Sequence, residues 1–214
     1  MQLNAGAGIA DSNTGSMKKS LILASGSPRR KQLLQGLGLS FEVRPVDADE
    51  SLNPAETEHP AAYIAERKAR LAHELYAGSW ILACDTVVET LNNEGPLYLG
   101  KAKDREEAAS MLKTLSGIEH TVRTGHCLVS PDGKYYSALP ATKVRFRSLN
   151  ARLLDWYLNT EEWTDKAGAY GIQGKGALLI QSLNGDYFNV VGLSLLAVDE
   201  LFQKAGVDIL EFAT

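Results

Sequence analysis

Residues 20–34 read SLILASGSPRRKQLL, and the fold class follows from this stretch. Residues 20–24 form a short apolar run, the pattern of a buried strand. Ser27 is a good N-cap and Pro28 suits the first helical position. Leu33, Leu34 and Leu37 then give a helical stripe that Gly36 and Gly38 end. A helix start presents unpaired N–H groups and the positive end of a dipole. Ser25, Gly26 and Ser27 can therefore line a phosphate cradle, and Arg29 and Arg30 add guanidinium groups suited to phosphate oxygens. The bland alternative is a capped helix with two solvated arginines. The stretch is neither a Walker A loop nor G-x-G-x-x-G.

Outward from it, residues 41–44 read as a second strand and residues 60–77 as a helix with Ile64, Leu71 and Leu75 on one face. Residues 80–84 (WILAC) are another buried strand, ending in Asp85. Residues 86–90 continue extended, and residues 92–95 (NNEG) are a turn signal. Asp104 caps a helix that Gly117 stops. Residues 119–130 and 134–147 are β-rich runs around Pro131-Asp132-Gly133, which predicts a hairpin. Residues 149–159 read as a helix and residues 167–176 as a loop with four glycines. Residues 177–183 read as a strand and residues 188–204 as a helix. Strands alternate with helices early and an antiparallel hairpin sits in the middle. The expectation is a mixed α/β fold with two lobes flanking a cleft.

The chain has 214 residues, 44% apolar and 22% charged, which is an ordinary globular composition. That length fits a single domain over residues 17–214. Residues 1–16 are small, polar and glycine-rich, and read as a disordered leader or tag before a start at Met17. With 22 basic and 26 acidic residues the net charge is −4, which argues against a general nucleic-acid binder. No apolar run approaches the ~18 residues of a membrane span. Cys84 and Cys127 make neither a disulfide framework nor a four-ligand zinc site, and free thiols suit a reducing, cytoplasmic setting.

Charge is partitioned along the chain. Residues 18–44 carry six Lys or Arg against one Glu, and residues 45–58 carry five acids and no base. A basic stretch beside an acidic loop suits a metal–phosphate substrate, with Asp49 and Glu50 offering oxygen ligands to a hard cation. A plain acidic surface loop is the alternative. Asp85 sits at the carboxyl end of a buried strand, where open α/β sheets place ligand chemistry. There it can bind metal or take a proton from water, or merely form a turn. Lys68 stands beside Glu66 and Arg67, which makes a solvated face its default. Lys101 lies in a loop with easier reach to phosphate. Gln173, among glycines, can offer an amide edge to a base. The four histidines show no metal-ligand spacing, and G-x-S-x-G is absent.

Taken jointly, LILASGSPRRKQLL, DES with a following proline, ERKA, ACDTVV, GKAKDREEAASMLKTLSG, DKAGAYGIQG and NGDYFNVVGLSL resemble the Maf family of nucleoside triphosphate pyrophosphatases over residues 20–200. The resemblance implies an inosine triphosphate pyrophosphatase-like fold. It implies hydrolysis of a nucleoside triphosphate to the monophosphate and pyrophosphate, with Mg²⁺ or Mn²⁺, in a cytoplasmic homodimer. By the same resemblance Ser27, Arg29 and Arg30 match the phosphate-binding motif, and Ser25 belongs to the same turn. Glu50 is a metal ligand, Lys68 and Lys101 are site lysines, and Asp85 is the catalytic base or a metal ligand. Gln173 matches the polar position that helps read the base. An Arg-Arg pair with a glutamine resembles the dTTP and UTP branch. An aromatic at position 29 with an acid at position 173 would resemble the 7-methyl-GTP branch, and a branch that includes CTP is the third. Family links to septum formation leave a nucleotide-binding regulator with little turnover as the competing role. Ala102 and Ser194 stand where the family usually has proline, and Cys84 where a smaller residue is common.

Overall fold

Two long antiparallel strands, β3 (Trp80–Asn92) and β5 (Glu119–Val129), carry the molecule. The computed structural model describes residues 19–50, 57, 59–93 and 95–214; the leader expected over residues 1–16 lies outside these. β3 and β5 pair from Ile81 against Val129 to Glu89 against Thr121. Each strand changes its other neighbour half-way. β1 (Leu21–Leu23) runs parallel to β3 at Trp80–Leu82, and β4 (Gly95–Leu99) runs antiparallel to it at Val88–Asn92. On β5, β6 (Tyr135–Ala138) covers His126–Val129 and β7 (Ala141–Phe146) covers Glu119–Arg123. β2 (Glu42–Val43) and β8 (Ile180–Asn184) close the two ends of the eight-stranded mixed sheet. The sheet thus narrows to β3 and β5 at its waist, where Asp85 faces Gly125.

A lobe is built on each side of that waist. In the first, α1 (Pro28–Gly36) and α6 (Leu195–Lys204) cover one face through Leu34, Val198, Leu201 and Phe202. The other face is covered by α2 (Pro60–Leu75). α2 presents Ile64, Ala65, Ala69 and Ala72 to the sheet, and these small side chains let the helix lie close. A Cβ on Gly125 would stand 2.2 Å from the Ala61 carbonyl oxygen, so only glycine fits beneath the start of α2. In the second lobe, α3 (Arg105–Leu115) and α4 (Ala151–Leu158) bury Leu112, Leu115, Leu154 and Tyr157 against Val122, Val144 and Phe146. Asp104 caps α3 by accepting from the Glu107 N–H at 2.8 Å, as its position in the sequence predicts. This is the mixed α/β, two-lobed arrangement that the alternation of elements implies.

Three local expectations are corrected. The chain at 134–147 is not one strand: Leu139-Pro140 separates β6 from β7, because proline cannot continue the ladder. Residues Gly174–Leu179 form a 3-10 turn, so the strand expected from residue 177 begins only at Ile180. The Glu162 carboxylate accepts the Lys175 N–H at 2.8 Å and holds that turn. The last helix is broken into α5 (Tyr187–Val191) and α6, since Gly192 takes φ 119° and Ser194 restarts the helix by accepting from the Ala197 N–H.

Candidate active site

Where β3 loses β1 and has not yet gained β4, the unpaired side of the sheet opens into a cleft of about 280 Å³ between the lobes. Nine of the residues singled out from the sequence line it: Ser25, Ser27, Arg29, Arg30, Glu50, Lys68, Asp85, Lys101 and Gln173; Asp49 does not, and meets Arg67 at 3.4 Å instead. The nine come from six separate segments: the β1–α1 turn, the loop after β2, α2, the waist of β3 and two loops of the second lobe.

Asp85 is 9% exposed and points toward α2, on the face it shares with Ile81 and Ala83 by strand alternation. Lys68 donates to its Oδ1 at 2.8 Å and lies 2.6 Å from Glu50 Oε1. Lys68 is therefore buried on the inner stripe of α2 rather than solvated, which corrects its default reading. Burial pushes the Asp85 carboxyl above its ordinary range, against the opposing pull of Lys68 and Arg30. Burial acts upward on Glu50 too, but Lys68 and then Lys101, at 3.2 Å, outweigh it and hold Glu50 low. One carboxyl is thus made more basic and its neighbour kept ionised, the division of roles that acid–base chemistry uses.

The two arginines separate. Arg30 is 9% exposed and gives four of its five N–H groups to a scaffold. Its Nε donates to the Gly192 carbonyl at 2.7 Å. One terminal nitrogen donates to Ser25 Oγ at 2.9 Å and to the Cys84 carbonyl at 2.7 Å. The other donates to Thr86 Oγ1 at 3.1 Å. The Cys84 carbonyl sits on the unpaired edge of the sheet waist, so Arg30 supplies there what a neighbouring strand would. The expected phosphate ligand lines the cleft and also acts there as a strut. Arg29 points into the cleft and, among the described residues, its guanidinium bonds only to Asp165, at 3.3 Å. Ser27 makes no side-chain capping bond, contrary to expectation; its N–H instead donates to Ser25 Oγ at 3.3 Å.

Behind the strut, His126 Nδ1–H donates to the Thr124 carbonyl and Nε2 accepts the Ser194 N–H at 3.0 Å. A proline at 194, as the family pattern has it, could not donate. Cys84 is buried and packs in the core, and burial pushes its thiol up to about 12, so it is inert. The reading of the sequence missed Asp165 and Lys166, both in the cleft wall. They open the DKAGAYGIQG stretch that carries the resemblance and Gln173, which was the signal that could have found them.

Among the described residues no group of three or more His, Cys, Asp or Glu is arranged around a metal position. No helix among them is long and apolar enough to cross a membrane.

A model of the family described as Maf-like protein matches residues 20–205. The chain belongs to that family. This Maf-like chain is 43% identical over 183 residues to the dTTP/UTP pyrophosphatase of Pyrococcus abyssi, covering 86% of this chain and 95% of the relative. It is 46% identical over 178 residues to the dTTP/UTP pyrophosphatase of Geobacillus sp., covering 83% and 93%. A solved structure of the nucleoside-triphosphatase, dITP/XTP pyrophosphatase, from Mycobacterium abscessus overlaps at 20% identity with a TM-score of 0.39, over 62% of this chain and 75% of that one.

Proposed function

We propose that this Maf-like chain hydrolyses dTTP and UTP between the α and β phosphates, releasing the monophosphate and pyrophosphate as a cleanser of the nucleotide pool. The observation that carries the reading is one cleft holding a buried, raised carboxylate, Asp85, opposite cations held only by exposed carboxylates. Relatives matched over nearly their whole length are named for this activity.

In the mechanism, the β1–α1 turn with Ser25 and Ser27, together with Arg29 and Lys101, receives the phosphates and offsets charge developing on the leaving pyrophosphate. Arg30 fixes the turn against β3 and the loop at Gly192. Lys68 holds the Asp85 and Glu50 carboxylates in register. Asp85 takes a proton at its carboxylate from the attacking water, whose oxygen bonds to the α phosphorus. The α–β bridging bond breaks with its electron pair on pyrophosphate, which regains the proton. Gln173 reads the pyrimidine edge, and with Arg29 favours the dTTP and UTP branch.

Glu50 and Asp85 fit a hard divalent cation. Both are carboxylates, and they already accommodate one cation, the Lys68 ammonium, between them. Two carboxylates are what Mg²⁺ takes when water and substrate phosphates complete its shell. Mg²⁺ or Mn²⁺ held there would supply further charge neutralisation to the phosphates. A cytoplasmic setting agrees with two buried free thiols. A homodimer is expected from the family alone, and sedimentation velocity tests it.

The test of the function is a nucleotide panel of dTTP, UTP, CTP, GTP and 7-methyl-GTP, with Mg²⁺, with Mn²⁺ and with chelator. Metal-dependent pyrophosphate from dTTP and UTP is expected. Release from 7-methyl-GTP alone overturns the branch, and binding without release from any of them favours the regulator.

A further inference from the structure

We propose that Lys166 is a substrate-binding residue that contacts the polyphosphate chain, alongside Arg29 and Lys101. The proposal rests on the reading of the cleft as a nucleoside triphosphate site. The cations that line the cleft are Arg29, Arg30, Lys68, Lys101 and Lys166. A triphosphate brings several negative charges. Arg30 spends four of its five N–H donors on Gly192, Ser25, Cys84 and Thr86, and Lys68 is enclosed by Asp85 and Glu50. Arg29, Lys101 and Lys166 remain.

Three observations set Lys166 apart from a solvated lysine. Its side chain is only 17% exposed although it lies on the cleft wall. Its stem occupies space that Gly171 leaves open, since a Cβ there would stand 2.8 Å from Lys166 Cε and 3.0 Å from Cδ. Its ammonium donates to Asp165 Oδ1 at 3.0 Å and, more weakly, to the Thr164 carbonyl at 3.4 Å, which leaves a third N–H for a ligand.

Asp165 explains the placement. It adopts φ 63°, in the left-handed region that a non-glycine residue rarely enters. In that conformation its one carboxylate meets both Lys166 and Arg29. Two cations on one carboxylate leave one positive charge unmatched, and a phosphate oxygen is the counter-ion that both can share. The segment is fixed on its other side as well. Lys101 and Ala167 form a β-bridge and the Gly168 N–H donates to the Gly100 carbonyl at 2.9 Å. Lys101 and Lys166 are thereby carried on one braced wall, and Arg29 faces it from α1.

The test compares wild type, K166M and K166R by calorimetry with inorganic tripolyphosphate, which has no base, and by steady-state kinetics on dTTP. K166M keeps an unbranched stem against Gly171, so folding is retained, and a thermal melt checks it. Expected for K166M are tripolyphosphate binding weakened by at least ~10-fold, a shallower salt dependence of that binding, and a higher KM for dTTP; K166R restores most of each. Tripolyphosphate affinity and salt dependence unchanged in K166M would overturn the proposal, as would a wild type that binds no tripolyphosphate. A wild type that binds tripolyphosphate through Lys166 but releases no pyrophosphate from dTTP would refute the function proposed above and leave this assignment standing.

Discussion

Arg30→Lys separates scaffold from substrate contact. The guanidinium makes four donations to acceptors that are buried or partly buried: the Gly192 carbonyl, Ser25 Oγ, the Cys84 carbonyl and Thr86 Oγ1. They lie around a planar fork in positions that one ammonium cannot reach together. Lysine at 30 keeps the charge and one or two of these bonds. The Cys84 carbonyl, on the open waist of β3, and the Gly192 carbonyl are the acceptors most exposed to loss. Leaving a buried acceptor unmet costs about 1–3 kcal/mol, so the expected loss of stability is about 3 kcal/mol. For a chain of this size that lowers the melting temperature by roughly 6–12 °C. Arg29→Lys is the control. Arg29 is paired with half-exposed Asp165 at 3.3 Å, and a pair of that kind contributes ~0–1 kcal/mol. Its melting temperature should stay within roughly 3 °C of wild type while KM for dTTP rises. Differential scanning calorimetry and initial rates on the two variants decide the matter. If Arg30→Lys melts with wild type and Arg29→Lys does not, the division of labour is wrong.

Three further outcomes are expected. Asp85→Asn should fold and lose at least ~10²-fold in turnover, since the amide cannot take the proton; a near wild-type rate removes Asp85 from the chemistry. Gly125→Ala should drive a methyl into the Ala61 backbone, with the Ala61 carbonyl oxygen 2.2 Å from the new carbon, and so push α2 and Lys68 off the sheet. Stability should fall by about 3 kcal/mol and turnover with it, and a wild-type melt would contradict the close approach. Burial holds His120 and His126 neutral, each pushed down to about 4 from 6.5. Between those values the unfolded chain binds protons that the folded chain does not, so stability falls as pH falls through the window. By pH 5 the loss is roughly 2 kcal/mol for each histidine, and a melting temperature flat from pH 7 to pH 5 would refute it.

The sequence carried the strand–turn–helix at 20–34 because its signals are local: an apolar run, a proline at a helix start, a leucine stripe. Asp85 was legible for a similar reason, as the first charge after a buried strand. Arg29 and Arg30 were not separable. Neighbouring residues on a helix point about 100° apart, so one of the pair turns inward, and only the acceptors at Gly192 and Cys84, distant in the chain, determine which. Lys68 was misread because Glu66 and Arg67 dominate its neighbourhood. Its spacing from Ile64, Ala65, Ala69 and Ala72 marks the inner stripe, and alanine gives that stripe little contrast. The 3-10 turn at Gly174–Leu179 depends on Glu162, and the break at Gly192 on a left-handed backbone, neither of which an apolar run encodes.

The ion pairs of the cleft fall into two kinds, and the difference bears on turnover. Arg29–Asp165 and Lys101–Glu50 join the two lobes across the opening, with exposed or half-exposed partners at 3.3 and 3.2 Å. Such pairs contribute little, and a phosphate can replace the carboxylate at small cost. The lobes do not depend on them, because β3 and β5 run unbroken through the waist. Lys68–Asp85 is buried on both sides at 2.8 Å, and removing Lys68 would strand the Asp85 carboxylate in the interior. A substrate can therefore open the outer pairs on entry and the product can release them on leaving. In the proposed reaction the inner pair is neutralised only while Asp85 carries the proton of the water, and it re-forms when that proton leaves.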